Sequence, residues 1–291
     1  MYLSLSCPCC KSTNLKKSYA IFMPFIAKMA FGYDLEEIDD SWNLHSIENG
    51  KLYFPNKSVQ CQNCGHLFSD LRFDFSETKN LYSNYRESRY VEIRDFFEPG
   101  YKEKQIKLDE VIGYKKDIEN FLSCVIERPL VLDWGGDDGK NTPFLNTAKS
   151  IHIYEFSDKK LLNNCKKVEL DEVYKNNYDL VVCSNVLEHV SEPIDLLEQI
   201  TKCMNNNTVL YIEVPYENIM QMNEGSLDLH YLKKHWHEHI NFYSEQSLRL
   251  LTNLCGLEVI KYQKFSYHNA MDYAHFENFY MLACKLKSEQ L

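Results

Sequence analysis

Residues 130–139 read Leu-Val-Leu-Asp-Trp-Gly-Gly-Asp-Asp-Gly. A short apolar run that ends in a glycine-rich loop describes a buried strand closing on a tight turn. Glu155 stands 20 residues after Gly135, at the end of the next apolar run, 151–154. A carboxylate in that place can accept both ribose hydroxyls of an adenosine-bearing ligand, while glycine lets the backbone come close to it. Asp133, Gly135, Gly136, Gly139 and Glu155 are therefore the candidate cofactor-binding set. A P-loop is excluded, because Gly139-Lys140 is followed by Asn141 and the upstream glycine spacing is wrong. A dinucleotide fold wants glycine where Asp133 stands, and Asp137 and Asp138 would repel a pyrophosphate. Those acids suit a ligand carrying a sulfonium and an ammonium group.

Outward from this loop the pattern is β-α-β. Further strands are expected at 178–183, 208–214, 257–265 and 279–285, and the glycine loop itself should lead into a helix. Ser191 could cap a helix facing inward through Ile194, Leu197, Ile200 and Met204. A second helix starts at Ser244, with Leu248, Leu251 and Leu254 inside and Gly256 as its stop. The expected fold is α/β and Rossmann-like: a mainly parallel seven-stranded sheet with helices on both faces. Upstream, 78–98 reads as one aromatic-rich helix ended by Pro99-Gly100. A further helical pattern runs through Ile106, Val111, Ile112, Ile118, Phe121, Leu122 and Val125.

The 291 residues carry 32 basic and 42 acidic side chains, a net charge of −10. A nucleic-acid binder usually shows a basic face, so nucleic acid is not the expected partner. No apolar run reaches the roughly 20 residues of a membrane span, and the N-terminal MYLSLS has no secretory signature. No membrane association and a cytoplasmic chain are expected. Of 11 cysteines, five crowd the first 64 residues. Cys7-x-x-Cys10 and Cys61-x-x-Cys64 give four thiolates, the tetrahedral sulfur set that Zn²⁺ prefers, and a closed set of this kind is structural rather than catalytic. Cys9 and His66 are spare donors nearby. The other six cysteines are read as buried small hydrophobes. Three regions follow: 1–75, a zinc-ribbon-like binding module; 76–127, a helical cap or linker; and 128–291, the cofactor-binding domain.

VLDWGGDDG (131–139) resembles the first motif of class I S-adenosylmethionine-dependent methyltransferases. IYEF (153–156) resembles the second, with Glu155 as the ribose acid. YDLVVCSNVLEHVSEPIDLL (178–197) and TVLYIEVP (208–215) are similar to the fourth- and fifth-strand motifs. HWHEHINFYSEQSLRLLTNLCGLEVI (235–260) resembles a segment of bacterial methyltransferases with an N-terminal zinc module, of which the best-known group methylates carbons of nucleotide-linked deoxysugars. The resemblance implies S-adenosylmethionine as cofactor, Glu238-His239 as an acid/base pair, and a tyrosine contributed by a covering helix, here Tyr82 or Tyr85. Those sugar C-methyltransferases continue into a further C-terminal domain. Only 35 residues follow Gly256 here, so that domain is expected to be absent.

Methyl transfer from a sulfonium is an in-line displacement that needs alignment and sometimes a base, and no catalytic metal. Asn185, Glu188 and His189 follow a strand at the edge where open α/β sheets bind ligands, and His189 is a candidate base. The alternating histidines of 235–239 lack the His-Glu-x-x-His helix pattern, and no metal is expected there. The leading expectation is methyl transfer to a sugar-type small molecule, with a hydroxyl or other heteroatom somewhat ahead of carbon. Two alternatives stand beside it: an RNA methyltransferase with a zinc module, and a non-catalytic cofactor-binding interaction module. Oligomeric state is not legible.

Overall fold

The structure, a computed structural model, describes residues 1–288 except 83, 109, 158 and 269–275. After a short strand, Tyr2–Leu3, that pairs with Leu71–Arg72, the chain forms an antiparallel sheet of β1 (Leu15–Phe22), β2 (Pro55–Cys61) and β3 (Leu67–Ser69), with α1 (Pro24–Phe31) between the first two. This sheet is not confined to the first 75 residues. His235–Trp236 adds to the free edge of β1, and Asn241–Phe242 adds to the free edge of β3. Residues 237–240 therefore pass from one edge to the other, pinned at both ends. Trp236 fixes one end: it is fully buried, and its indole N–H donates to the Ser58 hydroxyl at 2.8 Å.

Two helices, α2 (Phe75–Tyr82) and α3 (Ser88–Phe97), stand where a single helix over 78–98 was expected. Asn84 and Arg86 take left-handed backbone angles and end the first helix. The turn lets Tyr82 and Tyr85 face the same way, with ring centroids 5.5 Å apart. The next pattern also divides, into α4 (Tyr101–Leu108) and α5 (Lys115–Leu122). Gly113 lies in the turn before α5, where the Tyr267 hydroxyl occupies the place a Cβ would take. Ile106 and Val111, part of the expected helical pattern, are exposed, and Val111 lies outside both helices.

The second sheet is the large one. It is built from β4 (Leu130–Trp134), β5 (Ser150–Tyr154), β6 (Cys165–Lys167), β7 (Leu180–Ser184), β8 (Val209–Pro215), β9 (Leu257–His268) and β10 (Phe276–Leu286), in the order β6-β5-β4-β7-β8-β10-β9. The first five are mutually parallel, and β10 runs antiparallel to both neighbours. The central strands are buried nearly throughout, as parallel strands covered on both faces must be. The expected α/β sheet is thus present, with β6 as a strand the sequence did not show. No helix among the described residues is long and apolar enough to cross a membrane.

Several local expectations are corrected. The glycine loop runs into turns rather than a helix. The helix after β7, α6 (Pro193–Thr201), starts with Glu192 as its N-cap, because the Ser191 hydroxyl instead donates to the Phe73 carbonyl at 2.7 Å. The helix from Ser244, α7 (Glu245–Leu254), has the expected cap: the Ser244 hydroxyl accepts from the Ser247 N–H, and the Ser247 hydroxyl accepts in return. Leu248 and Leu251 are buried, but Leu254 is exposed. Of the six scattered cysteines, Cys124 is exposed and Cys165 only half-buried.

Candidate active site

The glycine loop lies at the carboxyl ends of β4 and β5. Gly139 has φ +86°, and a Cβ there would stand 2.6 Å from the Cys165 sulfur. Gly135 has φ +77°, and a Cβ would meet Val186 at 2.8 Å. The loop is thus packed directly on the turn after β7. Glu155 accepts the Asp137 N–H at 3.2 Å and the Ser157 N–H at 3.0 Å, which aims its carboxylate across the ends of the two strands. Asp133 is turned inward: it is buried, accepts the Thr142 hydroxyl at 2.6 Å and lies under Gly136. Burial pushes its carboxyl up to about 7. The loop is less acidic in space than in sequence, since Lys159 pairs with Asp137 at 2.7 Å.

Next to Val186, on which Gly135 packs, Asn185 opens onto a cavity of about 500 Å³ whose lining includes neither the glycine-loop residues nor Glu155. Asn185, Glu188, His189, Glu238, His239 and Tyr85 all line it, so the candidates from 185–189 and 238–239 meet although 49 residues separate them. Asn185 sits in a left-handed turn and donates to Glu213 at 2.8 Å. Glu213 is buried and also accepts from Tyr211, Ser184 and Tyr114. Burial raises its carboxyl, and those hydrogen bonds oppose the rise.

His189 Nδ1 lies 2.8 Å from the Tyr82 hydroxyl and 3.2 Å from the Glu238 carbonyl. A carbonyl can only accept, so the proton is assigned to Nδ1 and the lone pair to Nε2. Burial, helped by the neighbouring His239, lowers this imidazole to about 3. His239 donates through Nδ1 to Glu217 at 2.7 Å. Burial works against its charge, but Glu217, Glu188 and Glu238 together outweigh that and hold it at about 9. Glu238 is not hydrogen-bonded to His239. Its two oxygens face Arg94, each 3.3 Å from a guanidinium nitrogen. Burial raises Glu238, while His237 and Arg94 overcome this and bring it down to about 2. Glu188 is 1% exposed and neither oxygen has a hydrogen-bond partner; burial raises it to about 8. The three histidines of 235–239 go three ways, with His235 exposed and His237 paired with Glu98.

The four cysteines Cys7, Cys10, Cys61 and Cys64 form a second cluster. Cys7 and Cys64 sulfurs are 3.6 Å apart, as are those of Cys10 and Cys61, and all four lie within 4.8 Å of one another. Tetrahedral Zn–S bonds of about 2.3 Å put sulfurs roughly 3.8 Å apart, so the donor set and its spacing suit that ion. Cys9 is buried outside the four, and His66 is turned to the Asn241 side chain at 3.3 Å.

The sequence family described as a methyltransferase domain matches residues 82–262, more than half of the chain. The chain belongs to this methyltransferase family. It is a methyl-transferring enzyme. Solved structures similar to it include the 1,6-didemethyltoxoflavin-N1-methyltransferase of Burkholderia thailandensis, bound to 1,6-didemethyltoxoflavin and S-adenosylhomocysteine. That protein is 13% identical, with 78% of this chain and 99% of that one covered and a TM-score of 0.47. An S-adenosylmethionine-dependent methyltransferase of Leishmania major is 14% identical over 59% and 71% of the two chains, with a TM-score of 0.44. A glycopeptide N-methyltransferase is 12% identical over 62% and 92%, with a TM-score of 0.44. No curated protein sequence matches the chain.

A methyltransferase must bring donor and acceptor to one place, and here the loop and the cavity both lie at the carboxyl ends of the parallel strands. Sequence reasoning missed Glu217, Arg94 and Glu213 in this methyltransferase. Glu213 carried a signal, since a carboxylate inside TVLYIEVP needs partners once buried. Glu217 and Arg94 carried none, because each acquires meaning only from a distant segment.

Proposed function

We propose that the enzyme transfers the methyl group of S-adenosylmethionine to a sugar-type small molecule, with an oxygen or other heteroatom ahead of carbon as acceptor. The observation that carries this reading is the polar cavity beside the glycine loop. Its wall mixes amides (Asn218, Gln221, Asn278), carboxylates and tyrosines, groups that hydrogen-bond hydroxyls and stack on sugar faces. Lys104 and Arg86 line it too and are suited to the phosphates of a nucleotide-linked sugar. The volume is within the roughly 300–1,000 Å³ of small-molecule sites.

In this reading Gly135, Gly136 and Gly139 admit the cofactor, Glu155 accepts its ribose hydroxyls, and Asp133 braces the loop from below. Asn185 and Tyr85 border the sulfonium end. His189, Glu238 and His239 face the acceptor atom, where His189 Nε2 offers the open lone pair and Arg94 holds Glu238 ionised. Residues 76–127 cap the cavity, and 128–291 supply the cofactor site. Zn²⁺ bound by Cys7, Cys10, Cys61 and Cys64 is structural: it closes the module 1–75, whose sheet in turn carries the two ends of residues 237–240.

Incubation with labelled S-adenosylmethionine and a panel of sugar nucleotides, followed by NMR of the product, tests the reading. A new methyl on oxygen or nitrogen is expected. A methyl on carbon, or transfer to RNA in its place, would overturn the acceptor assignment.

A further inference from the structure

Glu188 presents an unusual problem. Its side chain is 1% exposed, both oxygens lack a hydrogen-bond partner, and it still lines the cavity. A buried carboxylate without partners is costly, and nothing in methyl transfer itself uses this one. Its surroundings supply an explanation. One oxygen is 3.8 Å from His189 Nε2, and ligand atoms of Glu188, His189 and His239 all lie within 4.8 Å of one another. The His189 and His239 rings are 4.7 Å apart, edge to face.

The outer bonds of the two imidazoles are equally specific. His189 spends Nδ1 on the Glu238 carbonyl and the Tyr82 hydroxyl, and His239 spends Nδ1 on the Glu217 carboxylate. Metal-binding histidines are held in this way, donating one ring N–H to a carbonyl or carboxylate while the other nitrogen ligates. The turn is fixed as well, since the Glu188 carbonyl accepts the N–H groups of Ile240 and Asn241.

We propose that Glu188, His189 and His239 bind a first-row divalent cation at the acceptor end of the cavity. Two imidazoles and a carboxylate leave open positions on such an ion, and an acceptor oxygen would fill one. The chain's residues then act through the ion. A coordinated hydroxyl loses its proton to water more readily. The oxygen forms the new bond to the methyl carbon as the carbon–sulfur bond breaks, leaving S-adenosylhomocysteine and one released proton. This acceptor role rests on the cavity reading above; the ion site does not.

The test uses the full chain with its cysteine cluster zinc-loaded and cobalt(II) as the probe, because thiolate-bound cobalt shows a sulfur charge-transfer band that a nitrogen–oxygen site lacks. One equivalent should bind with weak d–d absorption alone. Glu188→Gln and His239→Gln should each weaken binding at least about 10-fold, and Glu217→Gln, which removes the acceptor that holds His239, about 10–100-fold. Calorimetric affinity for S-adenosylmethionine and the melting temperature of each variant identify any loss caused by misfolding. No cobalt beyond the thiolate type, or equal binding in folded Glu188→Gln and His239→Gln, would overturn the proposal. Cobalt bound as expected in an enzyme that methylates no hydroxyl compound would uphold the ion site and defeat the acceptor assignment alone.

Discussion

Glu155 and Asp133 end neighbouring strands yet meet opposite surroundings. Glu155 stands half-buried among backbone N–H groups, whereas Asp133 is buried against a single hydroxyl. Removing Glu155 takes away the proposed acceptor for the ribose hydroxyls. A hydrogen bond to a charged group contributes roughly 1.5–3 kcal/mol, so Glu155→Ala should lower affinity for the cofactor about 10–150-fold by calorimetry. Asp133 makes a pH prediction. Its carboxyl is raised in the folded chain to about 7, against about 3.9 unfolded. The folded state therefore holds this proton where the unfolded state has released it. The favourable contribution is full below pH ~4 and is lost as pH rises through about 7. Asp133→Asn keeps an acceptor for Thr142 without the charge. Thermal melts from pH 4.5 to 8 should show the variant gaining on the native protein as pH rises; parallel curves would reject the assignment.

At the scale of elements, the parallel strands were legible because burial on both faces leaves near-continuous apolar runs, as in 130–132 and 178–183. The capped helix at Ser244 was legible because its signal is local. The failures have physical causes too. Cys165–Lys167 is a three-residue strand with no pattern of its own. The break in 78–98 follows from left-handed angles at Asn84 and Arg86; asparagine is a known left-handed and helix-ending residue, but arginine ordinarily continues a helix, so the local signal was weak. Arg72 joins the elements that carry the site. It is fully buried and donates to the carbonyls of Ser69, Val190, Ser191 and Ile240 and to the Asn241 side chain. Asn241 also donates to Leu187 and Val190. Arg72→Met would leave several buried carbonyls unpaired at about 1–3 kcal/mol each. A loss of at least about 3 kcal/mol in denaturant unfolding is expected, and a loss under about 1 kcal/mol would show that the hub is dispensable.

At the scale of the molecule, two sheets divide the work. The large sheet carries the glycine loop and the cavity at the carboxyl ends of its parallel strands, and the smaller sheet grips residues 237–240 by both ends and sets them against 185–189. The two candidate clusters were legible singly, as Asn185-Glu188-His189 and as Glu238-His239. Their union was not, because the pairing of His235–Trp236 and Asn241–Phe242 with β1 and β3 depends on sheet edges far away in sequence. If zinc closes the smaller sheet, Cys61→Ser should lower both the melting temperature and kcat while leaving cofactor affinity within a few-fold; unchanged melting with zinc retained would contradict this. The central claim is that cofactor and acceptor meet between Glu155 and the His189–His239 cluster. A crystal structure of the complex with S-adenosylhomocysteine tests it most directly. The account predicts the ribose hydroxyls on Glu155 and the sulfur directed into the cavity beside Asn185 and His189. A ligand bound with its ribose away from Glu155, or its sulfur turned from the cavity, would contradict it.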